Sequence, residues 1–300
     1  MYVKQRKKVV YIRQEDRNYL TILEKLLCYI RKIFMIIKIE YARDDVVIVV
    51  PQYRHQSLFL NRILIKKIRR KVANFEGYYI SFDDKLKCIS DIVRQYQNVE
   101  DKLLMRELVM EIFEYIFDTG KKCINLENVY IFVNEYNKMN VDLIELMASK
   151  FKTVNIITEK LRYYRRLEEK LYDSGILITV SNNKRKGARY ANYIVNIDYA
   201  KEKFEEYRIN MEAVIVNLTQ EQEFFKNGFR GKIINDMKIE VDKDSIDYIM
   251  EFYGNFDEKR YVENCIKKGQ KIDDVFKQYN VKISGLIGVR GVLHKSEFLA

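Results

Sequence analysis

The sequence predicts an α/β protein with a mainly parallel sheet in the middle of the chain and a smaller α/β unit before it. Two observations predict this. From about residue 126 to 220, short apolar runs alternate with segments of helical period, and strands apolar along their whole length belong to parallel sheets covered on both faces. Nearer the N-terminus, DDVVIVVP and Tyr78–Phe82 bracket a helical stretch in the same rhythm. With 300 residues, of which 48% are hydrophobic, the chain has length and apolar content for two domains.

The first periodic segment places Leu20, Leu23, Leu27, Ile30, Phe34 and Ile37 on one helical seam, with Lys25, Arg31, Lys32 and Lys38 largely off it. A basic amphipathic helix of this kind can lie on a membrane, pair with another helix or pack on its own domain. Residues 44–51 follow as a buried-strand pattern closed by the one proline, Pro51. A basic helix is predicted over 60–72, then a strand over 78–82. Asp83 and Asp84 are placed to cap a helix running to about Tyr96, and a longer helix over about 100–118 ends at Gly120.

Regular alternation begins after Leu126. Strands are predicted at 129–133, 153–158, 176–180, 192–197 and 212–218, and helices at 139–151, 161–174 and 200–207. Gly175 stands where helices commonly stop. Beyond 220 the pattern loosens into a turn-rich stretch at Asn227–Lys232, helices near 244–253 and 257–267, and a glycine-rich end. The expected organisation is a basic amphipathic segment (1–43), a small α/β domain with a connecting helix (44–120), the parallel-sheet domain (121–220) and a C-terminal extension of unassigned fold (221–300).

In doubly wound sheets ligands lie beyond the carboxyl ends of the strands. Here those ends carry Asn134–Glu135, Thr158–Glu159, Ser181–Asn182–Asn183, Asn196–Asp198 and Asn217–Thr219. Amide, hydroxyl and carboxylate groups thus collect at one edge, where they also serve as caps and turn formers. Lys184, Arg185, Lys186 and Arg189 surround Gly187 directly after a strand, cations placed where a phosphate can be held.

The order VYIFV, helix, IITE, helix, ILITVSNN, NYIVNID resembles the Rossmann-type layout of NAD(P)-dependent dehydrogenases of the shikimate and hydroxyacid kind, over about residues 100–220. The resemblance implies a dinucleotide at the switch point of a Rossmann-like sheet. It gives Glu159 the position of the acid that holds the ribose, and sets NYIVNID beside the nicotinamide. Asn134, Glu159, Asn182, Lys184, Arg185, Asn196 and Asp198 are the candidate ligand-binding residues. The first turn departs from the pattern: NEYNKMN holds no glycine, where the family uses glycines for a tight turn and close approach to pyrophosphate. No catalytic residue carries over, and no cofactor is assigned.

Charge separates the chain into two parts. Residues 1–75 hold 18 Lys and Arg against 6 Asp and Glu, a balance of +12, and residues 76–300 hold 36 against 37, a balance of −1. That asymmetry points to a polyanionic partner, nucleic acid or an anionic membrane surface, with Lys66, Lys67, Arg69, Arg70 and Lys71 as candidate contacts. The four cysteines are far apart and the two histidines stand alone, so neither a metal cluster nor a disulfide framework is expected. Reduced cysteines, no evident leader and no apolar run free of charge make a cytoplasmic protein without a transmembrane segment the expectation. Walker A, HExxH, GxSxG and kinase signatures are absent. Three readings of function stay open: a non-catalytic binding or regulatory protein that takes a phosphorylated small molecule, a divergent NAD(P)-dependent oxidoreductase, and a peripheral protein held on nucleic acid or a membrane.

Overall fold

The computed structural model describes residues 9–15, 21–42, 45–51, 58–75, 78–82, 86, 102–120, 122–219, 228–242, 258–267 and 270–298. The chain divides into two compact units, Met1–Asp101 with Ile239–Lys282, and Lys102–Lys238 with Ile283–Ala300. The helices expected to about Tyr96 and near 244–253 fall outside the described residues, apart from Leu86.

The first unit holds a four-stranded sheet of β1 (Val9–Gln14), β2 (Lys38–Ala42), β3 (Asp45–Val50) and β4 (Tyr79–Phe82), in the order β2-β3-β1-β4. β1 runs parallel to both β3 and β4, and β2 is the antiparallel edge. The run VVYI is therefore a central strand, although it lies within the segment expected to be helical. Helix α1 (Ile22–Phe34) links β1 to β2, and α2 (Leu58–Val72) follows β3. Leu64, Ile68 and Val72, spaced one turn apart on α2, pack with Val10, Ile12, Ile48, Val50 and Phe82 in the core of this sheet.

The larger sheet belongs mainly to the second unit, which opens with helices α3 (Leu103–Glu107) and α4 (Val109–Gly120). There follow β5 (Asn128–Phe132), α5 (Lys138–Ala148), β6 (Thr153–Ile157), α6 (Leu161–Tyr172), β7 (Ile178–Ser181), β8 (Tyr193–Asn196), α7 (Lys201–Glu205), β9 (Val214–Asn217) and β10 (Lys232–Glu240). β11 (Lys282–Gly288) and β12 (Gly291–Leu293) complete the sheet, whose order is β12-β11-β10-β9-β8-β5-β6-β7. From β7 to β10 every pairing is parallel. Numbered within this unit, the first six strands lie in the order 3-2-1-4-5-6, the Rossmann arrangement.

Both faces are covered. On one, Phe113 and Phe117 of α4 meet the ring of Tyr193 on β8 at 6.1 and 4.8 Å. On the other, Phe132 of β5 meets Phe204 of α7 at 4.6 Å, with Tyr199 and Tyr207 each at 5.4 Å. Alternation of side chains along parallel strands sends neighbouring apolar residues to opposite layers. The sheet also continues past residue 220 into the segment the sequence left unassigned, through β10, β11 and β12. Helices α8 (Glu258–Lys267) and α9 (Ile272–Tyr279) lie in the first unit, where α8 packs against β4 and Tyr261 meets Tyr279 edge-on at 5.2 Å.

Candidate functional site

The strand order of the large sheet reverses at β5 and β8, which are adjacent and parallel. Their carboxyl ends form the switch-point crevice where Rossmann-type sheets take ligands. The turn from β5 to α5 runs through Asn134, Glu135 and Tyr136 to Asn137, the N-cap of α5, whose side chain accepts from the amide of Asn140 at 2.9 Å. The turn's own amides are engaged from across the switch point. The Oδ1 of Asp198, two residues past β8, accepts from the amide of Asn134 at 2.7 Å, and its Oδ2 accepts from the amide of Glu135 at 2.7 Å. A carboxylate of the protein itself thus fills the anion position that backbone N–H groups create at such a turn.

Other groups fix the turn from behind. The carbonyl of Glu135 accepts from Asn140 Nδ2 at 2.7 Å and from the Tyr164 hydroxyl at 2.8 Å. Arg106 of α3 donates through Nη1 to Asn140 Oδ1 at 2.8 Å. Burial lowers the Arg106 pKa, and the charge of Asp198 is the largest effect opposing it. Burial likewise raises the Asp198 pKa, opposed by the amides of Glu135 and Asn134 and by Arg106, while Glu135 adds to the rise. Tyr164 is pushed well above the ordinary phenol range, first by burial and then by Asp198, so at neutral pH it is a hydrogen-bond donor.

Glu159 lies two residues past the end of β6, at the position that holds a ribose in the dehydrogenases. Here its amide donates to Asn134 Oδ1 at 2.9 Å, and its carboxylate pairs with Lys203 of α7 at 2.9 Å. That hydrogen bond raises the Lys203 pKa. Glu206, one turn further on, pairs with Lys184 after β7, which raises the pKa of Lys184 and lowers that of Glu206. The end of β6 and the loop after β7 are both tied to one short helical segment.

That loop is compact. Asn183 Oδ1 accepts from the amides of Arg185 and Lys186, each at 3.0 Å, and its carbonyl accepts from the amide of Gly187 at 2.7 Å. A Cβ on Gly187 would meet that carbonyl oxygen at 2.6 Å and Ile157 Cδ1 at 3.1 Å. Asn182, Arg185, Lys186 and Arg189 are exposed.

Asn196 is fully buried and plays a different part. Its Oδ1 accepts from the amide of Tyr199 and its Nδ2 donates to the Tyr199 carbonyl, both at 3.0 Å. It also begins a row across three strands. Asn196 is in register with Asn217, and the Nδ2 of Asn217 donates to Asn235 Oδ1 at 2.8 Å. Lys102 closes the row by donating to the carbonyls of Asn217, at 3.2 Å, and Asn235.

The structure therefore brings Asn134, Glu159 and Asp198 into one hydrogen-bonded cluster, sets Asn182, Lys184 and Arg185 on the neighbouring loop, and buries Asn196 in the sheet. Sequence reasoning missed Arg106, Asn140 and Tyr164. Arg106 and Tyr164 carry no local signal on their helices, and Asn140 became visible only as the residue its N-cap serves. Asn235 could have been found, since the paired VN ends of β8 and β9 repeat as IN on β10. In the first unit, Lys66, Arg69 and Arg70 are exposed on α2 and Lys71 is half-buried. Lys67 acts within the fold, because its Nζ donates to the carbonyls of Phe34 and Met35 at 2.9 and 3.0 Å, where α1 ends.

The residues at the switch point do not fit a dinucleotide in the dehydrogenase pose. The two turn amides are taken by Asp198, the turn has side chains where glycines would be required, and the ribose-position carboxylate is paired. Among the described residues no three His, Cys, Asp or Glu side chains converge as a metal site, and no helix is long and apolar enough to cross a membrane.

No family model and no curated protein matches the chain. Solved structures with a similar arrangement include L-tryptophan dehydrogenase from Nostoc punctiforme, at 10% identity over 91% of this chain and 78% of that one, with a TM-score of 0.36. A shikimate dehydrogenase in complex with NADP+ is 10% identical over 91% of this chain and 94% of that one, with a TM-score of 0.34. Ornithine carbamoyltransferase from Pyrococcus furiosus is 9% identical over 87% and 82%, with a TM-score of 0.28. Such distant likeness says nothing of activity, and the fold assignment rests on the chain's own strand order.

Proposed function

We propose that the second unit is a non-catalytic binding module for a phosphorylated small molecule, built on a Rossmann-type sheet from which the dinucleotide pose has been closed off. The observation that carries this reading is the Asp198 carboxylate on the amides of Asn134 and Glu135. A pyrophosphate would have to displace an ionised group already making two charge-assisted hydrogen bonds, and would then meet the charge of Glu135. The phosphate is assigned instead to the loop after β7. Arg185, Lys186 and Arg189 are exposed there beside Gly187, and Lys184 is held in place by Glu206.

Calorimetry on the intact protein tests the reading. NAD+, NADH, NADP+ and NADPH are expected to give no measurable heat of binding, whereas members of a panel of phosphorylated metabolites bind and lose affinity on Arg185→Ala with Lys186→Ala. Low-micromolar binding of any of the four dinucleotides would overturn it in favour of a divergent oxidoreductase.

A further inference from the structure

Helix α1 is amphipathic in the reverse of the usual sense. At 100° per residue, Tyr29, Ile22, Ile33, Leu26, Ile30, Leu23, Phe34 and Leu27 fall in one unbroken apolar arc. A helix packed on its own domain buries that arc. Here it faces solvent: Ile22 is 86% exposed, Leu23 73%, Phe34 65%, Ile33 59% and Leu26 58%. Cys28, at 3%, is buried on the opposite side among the polar positions. The exposed apolar surface continues past the helix through Ile36 and Tyr41.

Cations border this arc. Lys25 and Lys32 flank one margin, and Arg31, which is tied to Glu15 at 2.6 Å, flanks the other. The link from Lys67 to the carbonyls of Phe34 and Met35 joins α2 to the end of α1, and Arg62, Lys66, Arg69 and Arg70 are exposed along α2. An apolar arc bordered by cations, with tyrosines at its edge, is the make-up of a helix that lies in the headgroup region of a bilayer.

We infer that α1 docks the protein on an anionic lipid surface, with its apolar arc entering the interface and the cations of α1 and α2 meeting lipid headgroups. Charge complementarity selects this occupant. A second copy would set the exposed cations beside the arc, Lys25, Arg62, Lys66, Arg69 and Arg70, against their own equivalents, and like charge opposes that contact. Nucleic acid would use the cations and leave the apolar arc in water. An anionic bilayer satisfies both parts at once. The inference is independent of whatever the second unit binds.

The test is co-sedimentation of the intact protein with vesicles of phosphatidylcholine alone and of phosphatidylcholine mixed with phosphatidylserine, at low and moderate salt. The protein is expected to pellet with the mixed vesicles and not with phosphatidylcholine alone, and to do so less as salt rises. Ile30→Glu with Ile33→Glu should lower partitioning by roughly tenfold or more, and Lys66→Ala with Arg70→Ala by on the order of tenfold. Leu23→Ser with Leu26→Ser is a milder second pair, and melting curves matching the wild type establish that each variant is folded. The inference is overturned by no pelleting with phosphatidylserine, by pelleting unchanged in both arc variants, or by a stable dimer that Ile30→Glu with Ile33→Glu converts to monomer without any vesicle binding. Binding of duplex or single-stranded nucleic acid that survives the arc variants, with vesicles ignored, overturns it in favour of a nucleic-acid partner.

Discussion

Asp198 Oδ2 stands 2.7 Å from the amide nitrogen of Glu135, although 63 residues separate the two. The contact exists because β5 and β8 are neighbours in the sheet, and it converts an anion-binding turn into an internally satisfied one.

Replacing Asp198 with Ala should therefore do two things. Both turn amides lose their acceptor, which costs about 2 kcal/mol, at the middle of the range for unsatisfied donors because water reaches the partly exposed turn. The vacated amides also become available to an added anion. Urea unfolding measures the first effect, and calorimetry with inorganic pyrophosphate the second. A variant as stable as the wild type that gains no pyrophosphate affinity would show that the carboxylate does not control the turn.

The same residue predicts a pH dependence. Burial raises its pKa in the folded protein, so the folded state holds the proton more tightly than the unfolded chain does. For an acid shifted this way, the stabilising contribution is complete below the ordinary aspartate range and is lost as pH rises through the folded value. The stability margin of the wild type over Asp198→Asn should therefore narrow as pH climbs above that range. Unfolding free energies of both proteins across the acid range check it, and a margin that widens with pH contradicts the assignment.

Gly187→Ala should destabilise by about 1–3 kcal/mol, the usual cost of forcing extra volume into a packed site. Its new methyl would meet backbone rather than a movable side chain, since the Asn183 carbonyl oxygen lies 2.6 Å away. Chemical denaturation measures the cost. The loop cations should shift with it, so amide NMR signals of residues 183–187 should move while those of β5 stay in place.

The buried asparagine row should be intolerant of apolar replacement. Asn217 Oδ1 accepts from Asn196 Nδ2 and from the amide and hydroxyl of Thr219, and its Nδ2 donates to Asn235. Asn217→Leu leaves several of these groups without partners, for a loss of about 3 kcal/mol. Thermal unfolding tests this, and a melting temperature unchanged from the wild type would mean that the row contributes little.

Legibility in the sequence followed how local each cause was. β5, β6, β8 and β9 lie within two residues of their expected bounds, because an apolar run between turn residues is a signal the segment carries alone. β1 was not legible: VVYI is short and stands next to Arg13 and Gln14, and it is a strand because β3 and β4 flank it from far along the chain. The seam on α1 was legible as a helix. That its apolar arc faces outward was not, since periodicity gives the arc and never which way it points. At the site, Asp198 and Glu159 were visible as polar residues at strand ends, whereas their partners were not. The turn amides that meet Asp198 and the Lys203 that meets Glu159 are set by which strands lie side by side.

The division of the chain has a consequence for synthesis. The unit that begins with β1 is completed only by Ile239–Lys282, and α8, which packs on β4, comes from that late segment. On the ribosome the first four strands emerge long before α8, while the whole run from β5 to β9 can be made and folded in the interval. For that period β4 is without the helix that will pack on it. The nascent chain is then open to misassociation at this sheet, and the risk ends only once α8 has been made.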